Sequence, residues 1–306
     1  MRLATFSHDG GTSRVGALAD AETIVDLGEV DPRPPFRDMQ SFIEAGTSAH
    51  EEAAHALERA GDGARLALAD VTLHPPLDPP AQLRDCLAFE EHLRNSFAQA
   101  AKLTGEAPRP IPDVWYEQPI YYKANRFSVA GHEADVVWPP WSQVIDYELE
   151  VACVIGRGGR DIAAADAPGH VFGYTIFNDA SARDAQLKEM AGQLGPAKGK
   201  DFDTGNVLGP WIVTVDELGD PQDLEMVARV NGEEWSRGST AAMHHSFADI
   251  IAFVSRSETL HPGEVIGSGT VGTGCGLEQG RFLSEGDVVE LEVARIGVLR
   301  NRFVRS

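Results

Sequence analysis

Cysteine is scarce in this chain. Cys86, Cys153 and Cys275 are isolated and odd in number, so they match neither a disulfide framework nor a CxxC metal site. Each reads as a small buried apolar residue, and a reducing cytoplasm is the simplest home. Basic residues are also short: 26 Lys and Arg stand against 47 Asp and Glu, a formal charge of −21. That balance argues against nucleic acid and anionic membrane surfaces as partners. No apolar run approaches the roughly 18 residues that span a bilayer. The opening MRLATFSHDGG has no basic segment followed by an apolar core, and does not read as a secretory signal. Walker A, HExxH and GxSxG patterns are missing. Residues 267–272, GSGTVG, fit GxGxxG formally, but TGCGLEQGR follows where a dinucleotide fold needs a helix.

What is present suits one large domain and a small one: 306 residues, of which 42% are hydrophobic. Residues 2–7, 14–18 and 23–27 read as a strand meander. Residues 39–59 have helical composition and stop before Gly61, and 71–73 suit one more strand. HPPLDPP at 74–80 places four prolines in seven residues, which forbids regular ladder bonding. We therefore expect a small N-terminal domain over 1–76 and a larger domain over 81–306. His8, His50, His55 and His74 read as surface or capping residues.

The larger part is organised around residues 143–186. QVIDYELEVACVIG reads as a strand on which Glu148 and Glu150 share a face, about 7 Å apart. Beyond that acidic pair both faces are apolar, so the strand is covered on both sides. Buried carboxylates require a partner or a shifted pKa. A cation is one solution, with Asp179 supplying a third oxygen; the alternative is a solvated strand edge. An all-carboxylate donor set favours a hard ion, Mg²⁺, Mn²⁺ or Ca²⁺, over zinc.

Residues 81–103 have the apolar spacing of a helix, which would put Asp85 and His92 on one face as a core pair or a site. Residues 104–117 read as a proline-rich surface loop or lid. Residues 181–194 look helical, with Asp179, Arg183 and Gln186 sharing a face. Lys198 and Lys200 fall in a glycine-rich stretch ahead of a strand. Asn231-Gly232 is a type I′ hairpin signal, residues 247–257 suit an amphipathic helix, and 288–304 alternate as strands.

Four stretches in order, DYELEVACVIG (146–156), FNDASARDAQ (177–186), GKDFDTGNVLGPWIV (199–213) and LHPGEVIGSGTVG (260–272), resemble the fumarylacetoacetate hydrolase family across residues 81–306. The resemblance implies an α+β, β-rich fold, a mixed β-sandwich roll with a small N-terminal α+β domain, assembled as a homodimer. It implies Glu148, Glu150 and Asp179 as metal ligands. Longer, fumarylacetoacetase-like members add Asp85 and a catalytic histidine, His92. Arg183, Gln186 and Lys200 would surround the substrate, Tyr122 and Thr270 would contact it, and Glu278 would orient His92. Leu87 stands where fumarylacetoacetase has a tyrosine, and Ala101 where an arginine would hold a substrate carboxylate. Those departures leave the small keto-acid substrate more open than the reaction class. The implied activity is metal-dependent hydrolysis of a carbon–carbon bond in a β-diketo acid or acylpyruvate. Alternatives on the same scaffold are a 2-oxo acid hydratase, isomerase or tautomerase, or decarboxylase, and, from another class, a non-catalytic metal- or ligand-binding protein.

Overall fold

The apolar runs assemble mainly into one large sheet. The computed structural model describes residues 1–105 and 107–306, and the side chains of all of these but 103 and 104. Its twelve-stranded sheet has at its centre, in spatial order, Arg2–His8, Asn206–Thr214, Val171–Asp179, Leu149–Ile155, Glu264–Gly267 and Gln82–Cys86. A second sheet of five strands contains Glu233–Ser239, Glu225–Val230, Val288–Val293, Gly297–Arg305 and Asp135–Trp138. The fold is thus α+β and β-rich, as expected.

Leu149–Ile155 is the pivot. Leu149, Val151, Cys153 and Ile155 share a core with Met226, Leu291 and Phe303 of the five-stranded sheet. On the other face, Ala152 and Val154 share a core with Phe42, Ala49 and Ala53 from helices Met39–Ala45 and Thr47–Arg59. Each fully buried Val, Leu or Ile contributes about 1.5–3 kcal/mol. A one-residue slip would exchange the two faces, so register is strongly specified. This packing carries Glu148 and Glu150 into the interior, and the solvated-edge alternative is excluded by their burial.

Several local expectations change. Residues 81–103 are not one helix: Gln82–Cys86 is a strand, parallel to Glu264–Gly267, and the helix is Glu90–Thr104. One partner of the strand lies about 180 residues away in sequence and the other, Tyr121–Lys123, lies beyond the helix, both out of reach of local periodicity. Residues 39–59 split into two helices at Gly46, whose φ of +66° suits glycine. The helix expected over 181–194 is Arg183–Met190, because Ser181–Ala182 pairs with Ile145–Asp146. Asp179 therefore ends a strand instead of sharing a helical face. The polar segment 104–117 contains helix Asp113–Glu117, tied down by a 2.5 Å hydrogen bond from Trp115 Nε1 to the Leu87 carbonyl; Glu106 lies outside the described residues. Asn231 and Gly232, with φ of +53° and +81°, do form the hairpin turn. Across residues 74–80 the sheet is continuous, since Arg2–His8 pairs with both Val71–His74 and Asn206–Thr214.

Candidate active site

Three strands deliver the acidic cluster. Asp85 comes from Gln82–Cys86, Glu150 from Leu149–Ile155, and Asp179 from the end of Val171–Asp179. One carboxylate oxygen from each lies within 4.8 Å of the others, and all three residues are buried. Close approach is possible because the neighbouring strand carries Gly267. A Cβ there would lie 2.6 Å from Asp85 Oδ1 and 2.8 Å from Glu150 Oε2. Glu150 also accepts a 3.0 Å bond from the Gly269 amide, and the Thr270 hydroxyl stands 3.5 Å from its other oxygen.

Glu148 stands beside the triad, sharing Lys200 with Asp179. Its carboxylate meets the Lys200 ammonium, and Arg183 Nη1 at 2.8 Å, instead of joining the triad. Lys200 also reaches Asp179 Oδ2 at 2.5 Å, and the Tyr122 hydroxyl donates to the same oxygen at 2.7 Å. Arg183 Nη1 donates to Gln186 Oε1 at 2.8 Å. A cleft of about 190 Å³ is lined in part by Tyr122, Lys123, Asn125, Ala197 and Lys200. It therefore reaches two of the side chains that grip Asp179.

The electrostatics follow from this crowding. Burial, then Asp179, pushes the Asp85 carboxyl well above its ordinary range. Burial, then Asp85, does the same to Glu150. Burial raises Asp179 too, although Lys200 pulls the other way. At Glu148 burial is outweighed by Lys200 and Arg183, which hold it down to about 2. Five buried carboxylates, of Asp85, Asp146, Glu148, Glu150 and Asp179, thus face two buried cations, Lys200 and Arg183. Asp85 Oδ1 and Asp179 Oδ1 find no hydrogen-bond partner among the described residues. Unpaired oxygens and surplus negative charge fit a divalent cation, and the all-oxygen donor set fits a hard one.

Beside this cluster, His92 Nδ1 lies 2.8 Å from Glu278 Oε1. Glu278 Oε2 is fixed by Asn95 Nδ2 at 3.0 Å and the Thr273 amide at 2.7 Å. A carboxylate accepting from Nδ1–H leaves the other ring nitrogen basic. The geometry suits proton transfer next to a cation-stabilised oxyanion, as expected of an enolate-forming site.

Residues 83–304 match the family model for the fumarylacetoacetate (FAA) hydrolase C-terminal region. The chain belongs to the fumarylacetoacetate hydrolase family. Among its relatives is the human oxaloacetate tautomerase FAHD2A, named mitochondrial, at 36% identity over 92% of this chain and 84% of that protein. Fumarylacetoacetate hydrolase from Exiguobacterium antarcticum is similar across 100% of both chains, with 28% identity and a TM-score of 0.78. Maleylpyruvate hydrolase from Sphingobium sp. SYK-6, solved with manganese(II) and pyruvate, shares the fold at 24% identity and a TM-score of 0.78 over 100% of both chains. Enzymes of this family thus include tautomerases as well as hydrolases.

Three contributors escaped the sequence reading. Asp146 binds Arg183 Nε at 2.8 Å and Nη2 at 2.7 Å and accepts the Gly276 and Leu277 amides at 2.8 and 2.9 Å. Its signal was present, because strand alternation puts residue 146 on the face of 148 and 150. Asn178 accepts the Glu148 amide at 3.0 Å. Gly267 had been weighed as part of a nucleotide motif and of a family stretch, with no role of its own, and its use here is close approach to carboxylates.

Proposed function

We propose that this protein interconverts the keto and enol forms of a 2-oxo acid of the oxaloacetate type, using a divalent metal ion. The observation that carries this reading is the buried carboxylate triad lying in one fold with the His92–Glu278 pair. The choice of tautomerisation over carbon–carbon hydrolysis is supported by relatives named oxaloacetate tautomerases, which align over nearly the whole chain.

Asp85, Glu150 and Asp179 would hold the ion, with Glu148 alongside. When bound, it supplies positive charge beside a substrate oxygen and so lowers the cost of an enolate. His92 takes a proton from the carbon between the keto group and the far carboxylate. The C–H bond breaks and its electron pair becomes the enolate. The imidazolium then returns the proton to oxygen, forming O–H, so the substrate's formula is unchanged and His92 is neutral again. Glu278 keeps the useful tautomer in place. Lys200 and Arg183 complement negative charge on the substrate.

Carbon–carbon hydrolysis of an acylpyruvate is the second reading, favoured by the pairing of His92 with Glu278, which suits activation of water. The two part on products. Enol-form oxaloacetate is followed by its ultraviolet absorbance with Mg²⁺ or Mn²⁺ present, and acylpyruvates are assayed for two released acids. Faster enol decay without carbon dioxide or new acids is the expected result. Cleavage of acylpyruvates with unaltered enol decay would transfer the assignment to hydrolysis. We further take the protein to act as a homodimer, as the resemblance implies, which sedimentation would test. A reducing interior suits its three buried unpaired thiols: cytoplasm by our reading, mitochondrial for the relatives so named.

A further inference from the structure

Metal-seeking side chains converge a second time, outside the carboxylate triad. His92 lies near the start of helix Glu90–Thr104, Cys275 directly before the short helix Gly276–Gln279, and Glu278 within it. Their donor atoms lie within 4.8 Å of one another. Nδ1 to Oε1 is 2.8 Å, Sγ to Oε1 is 3.5 Å, and Sγ to Nδ1 is 4.0 Å. A tetrahedral zinc ion, with bonds of about 2.0–2.3 Å, sets such donors roughly 3.3–3.6 Å apart. The observed separations bracket that range, and shifts of about half an ångström would close the shell. Asn95 and the Thr273 amide hold the far oxygen of Glu278, so Oε1 is already directed at the imidazole and the thiol. One sulfur, one nitrogen and one oxygen form a soft donor set, unlike the oxygen-only triad.

We propose that His92, Cys275 and Glu278 form a second cation site, selective for a thiophilic divalent ion of the zinc class, whose occupation inhibits the enzyme. Binding is proton-for-metal exchange: Cys275 releases its S–H proton to solvent, the imidazole stays neutral by moving its proton from Nδ1 to Nε2 through solvent, the ion joins sulfur, Nδ1 and carboxylate, and no electron is transferred. Three protein donors leave one coordination position for a solvent molecule. With the ion on Nδ1 the ring carries its proton on Nε2, the nitrogen that would take the substrate proton, so His92 no longer serves as a base while the hard ion stays in the triad. Binding is independent of which reaction the site performs; only the inhibition rests on the tautomerase reading.

The test uses the full chain with Mg²⁺ in excess, titrated with Co²⁺ as a spectroscopic stand-in for zinc. Wild type is expected to develop a sulfur-to-cobalt charge-transfer band in the near ultraviolet. Cys86→Ala should keep the band and Cys275→Ala should lose it. Zinc affinity in Cys275→Ala should fall by at least the roughly 10–100-fold that loss of a supporting partner costs a metal site. Should that variant fail to fold, Cys275→Ser replaces it, since a hydroxyl gives no such band. No band in wild type, or a band that survives in the Cys275 variant, overturns the site. For inhibition, zinc should slow wild-type enol decay despite excess Mg²⁺ and spare Cys275→Ala, each compared with its own zinc-free rate. Inhibition that Mg²⁺ relieves equally in both proteins overturns the inhibitory role. Absence of any turnover would count against the tautomerase reading and leave the cobalt band to judge the site.

Discussion

Asp146 grips Arg183 at two nitrogens, Nε at 2.8 Å and Nη2 at 2.7 Å, with both side chains almost wholly buried. The remaining terminal nitrogen, Nη1, is thereby directed at Glu148 and Gln186. Removing one partner of such a pair strands a buried charge. Asp146→Ala should therefore cost about 3–5 kcal/mol of stability in chemical denaturation. A variant as stable as wild type would show that Arg183 does not depend on this anchor.

Gly267 separates the strands that carry Asp85 and Glu150. In Gly267→Ala the added Cβ would fall 2.6 Å from one carboxylate and 2.8 Å from the other. Divalent-metal affinity, read by calorimetry, should fall by about 10–100-fold, as when a metal site's supporting contacts are lost. Unchanged affinity would mean that these two carboxylates do not grip the ion together.

His92→Ala should lower kcat by about 10²–10⁴-fold, the contribution of a positioned acid–base group. Its affinity for Mg²⁺ should stay close to wild type, because the ion is assigned to other side chains. Glu278→Gln should also lose activity. Loss of metal binding in His92→Ala would instead make the histidine a ligand of the hard ion.

Metal-free protein should lose stability as pH rises. Asp85, Glu150 and Asp179 have folded-state pKa values above their ordinary 3.8–4.5, from burial first and from neighbouring charge. The folded state therefore keeps protons that the unfolded chain releases, and stability falls with pH above about 4. Glu148 works in the opposite sense only at lower pH, losing its contribution as pH drops from 4.5 through about 2. Added Mg²⁺ should reverse the trend, since it replaces those protons. Thermal unfolding with chelator or with Mg²⁺ over about pH 5–8 checks both signs. A flat metal-free profile would contradict the shared-charge cluster.

Much of the site was legible because strand alternation is strict. Glu148 and Glu150 announced themselves on one face, and Asp146 obeyed the same rule. The β-rich architecture was legible too, from short apolar runs and turns such as Asn231-Gly232. Asp85 was harder: its strand pairs with Tyr121–Lys123 across an intervening helix and in parallel with the distant Glu264–Gly267, so its apolar residues read equally well as a helix. The contact of Glu148 with Lys200 was not readable at all. It depends on where Lys200, presented by a glycine-rich segment, comes to rest, and no local period encodes that.

The parallel pairing of Gln82–Cys86 with Glu264–Gly267 has a consequence for handling the chain in pieces. Donors to the acidic cluster and their glycine spacer come from opposite ends of the larger part, so a cut in an exposed loop between them should leave two inert halves. Mixed together, those halves should regain chemistry only as this seam and the other pairings of the large sheet that the cut divides re-form, which makes fragment complementation a gauge of how the sheet reassembles.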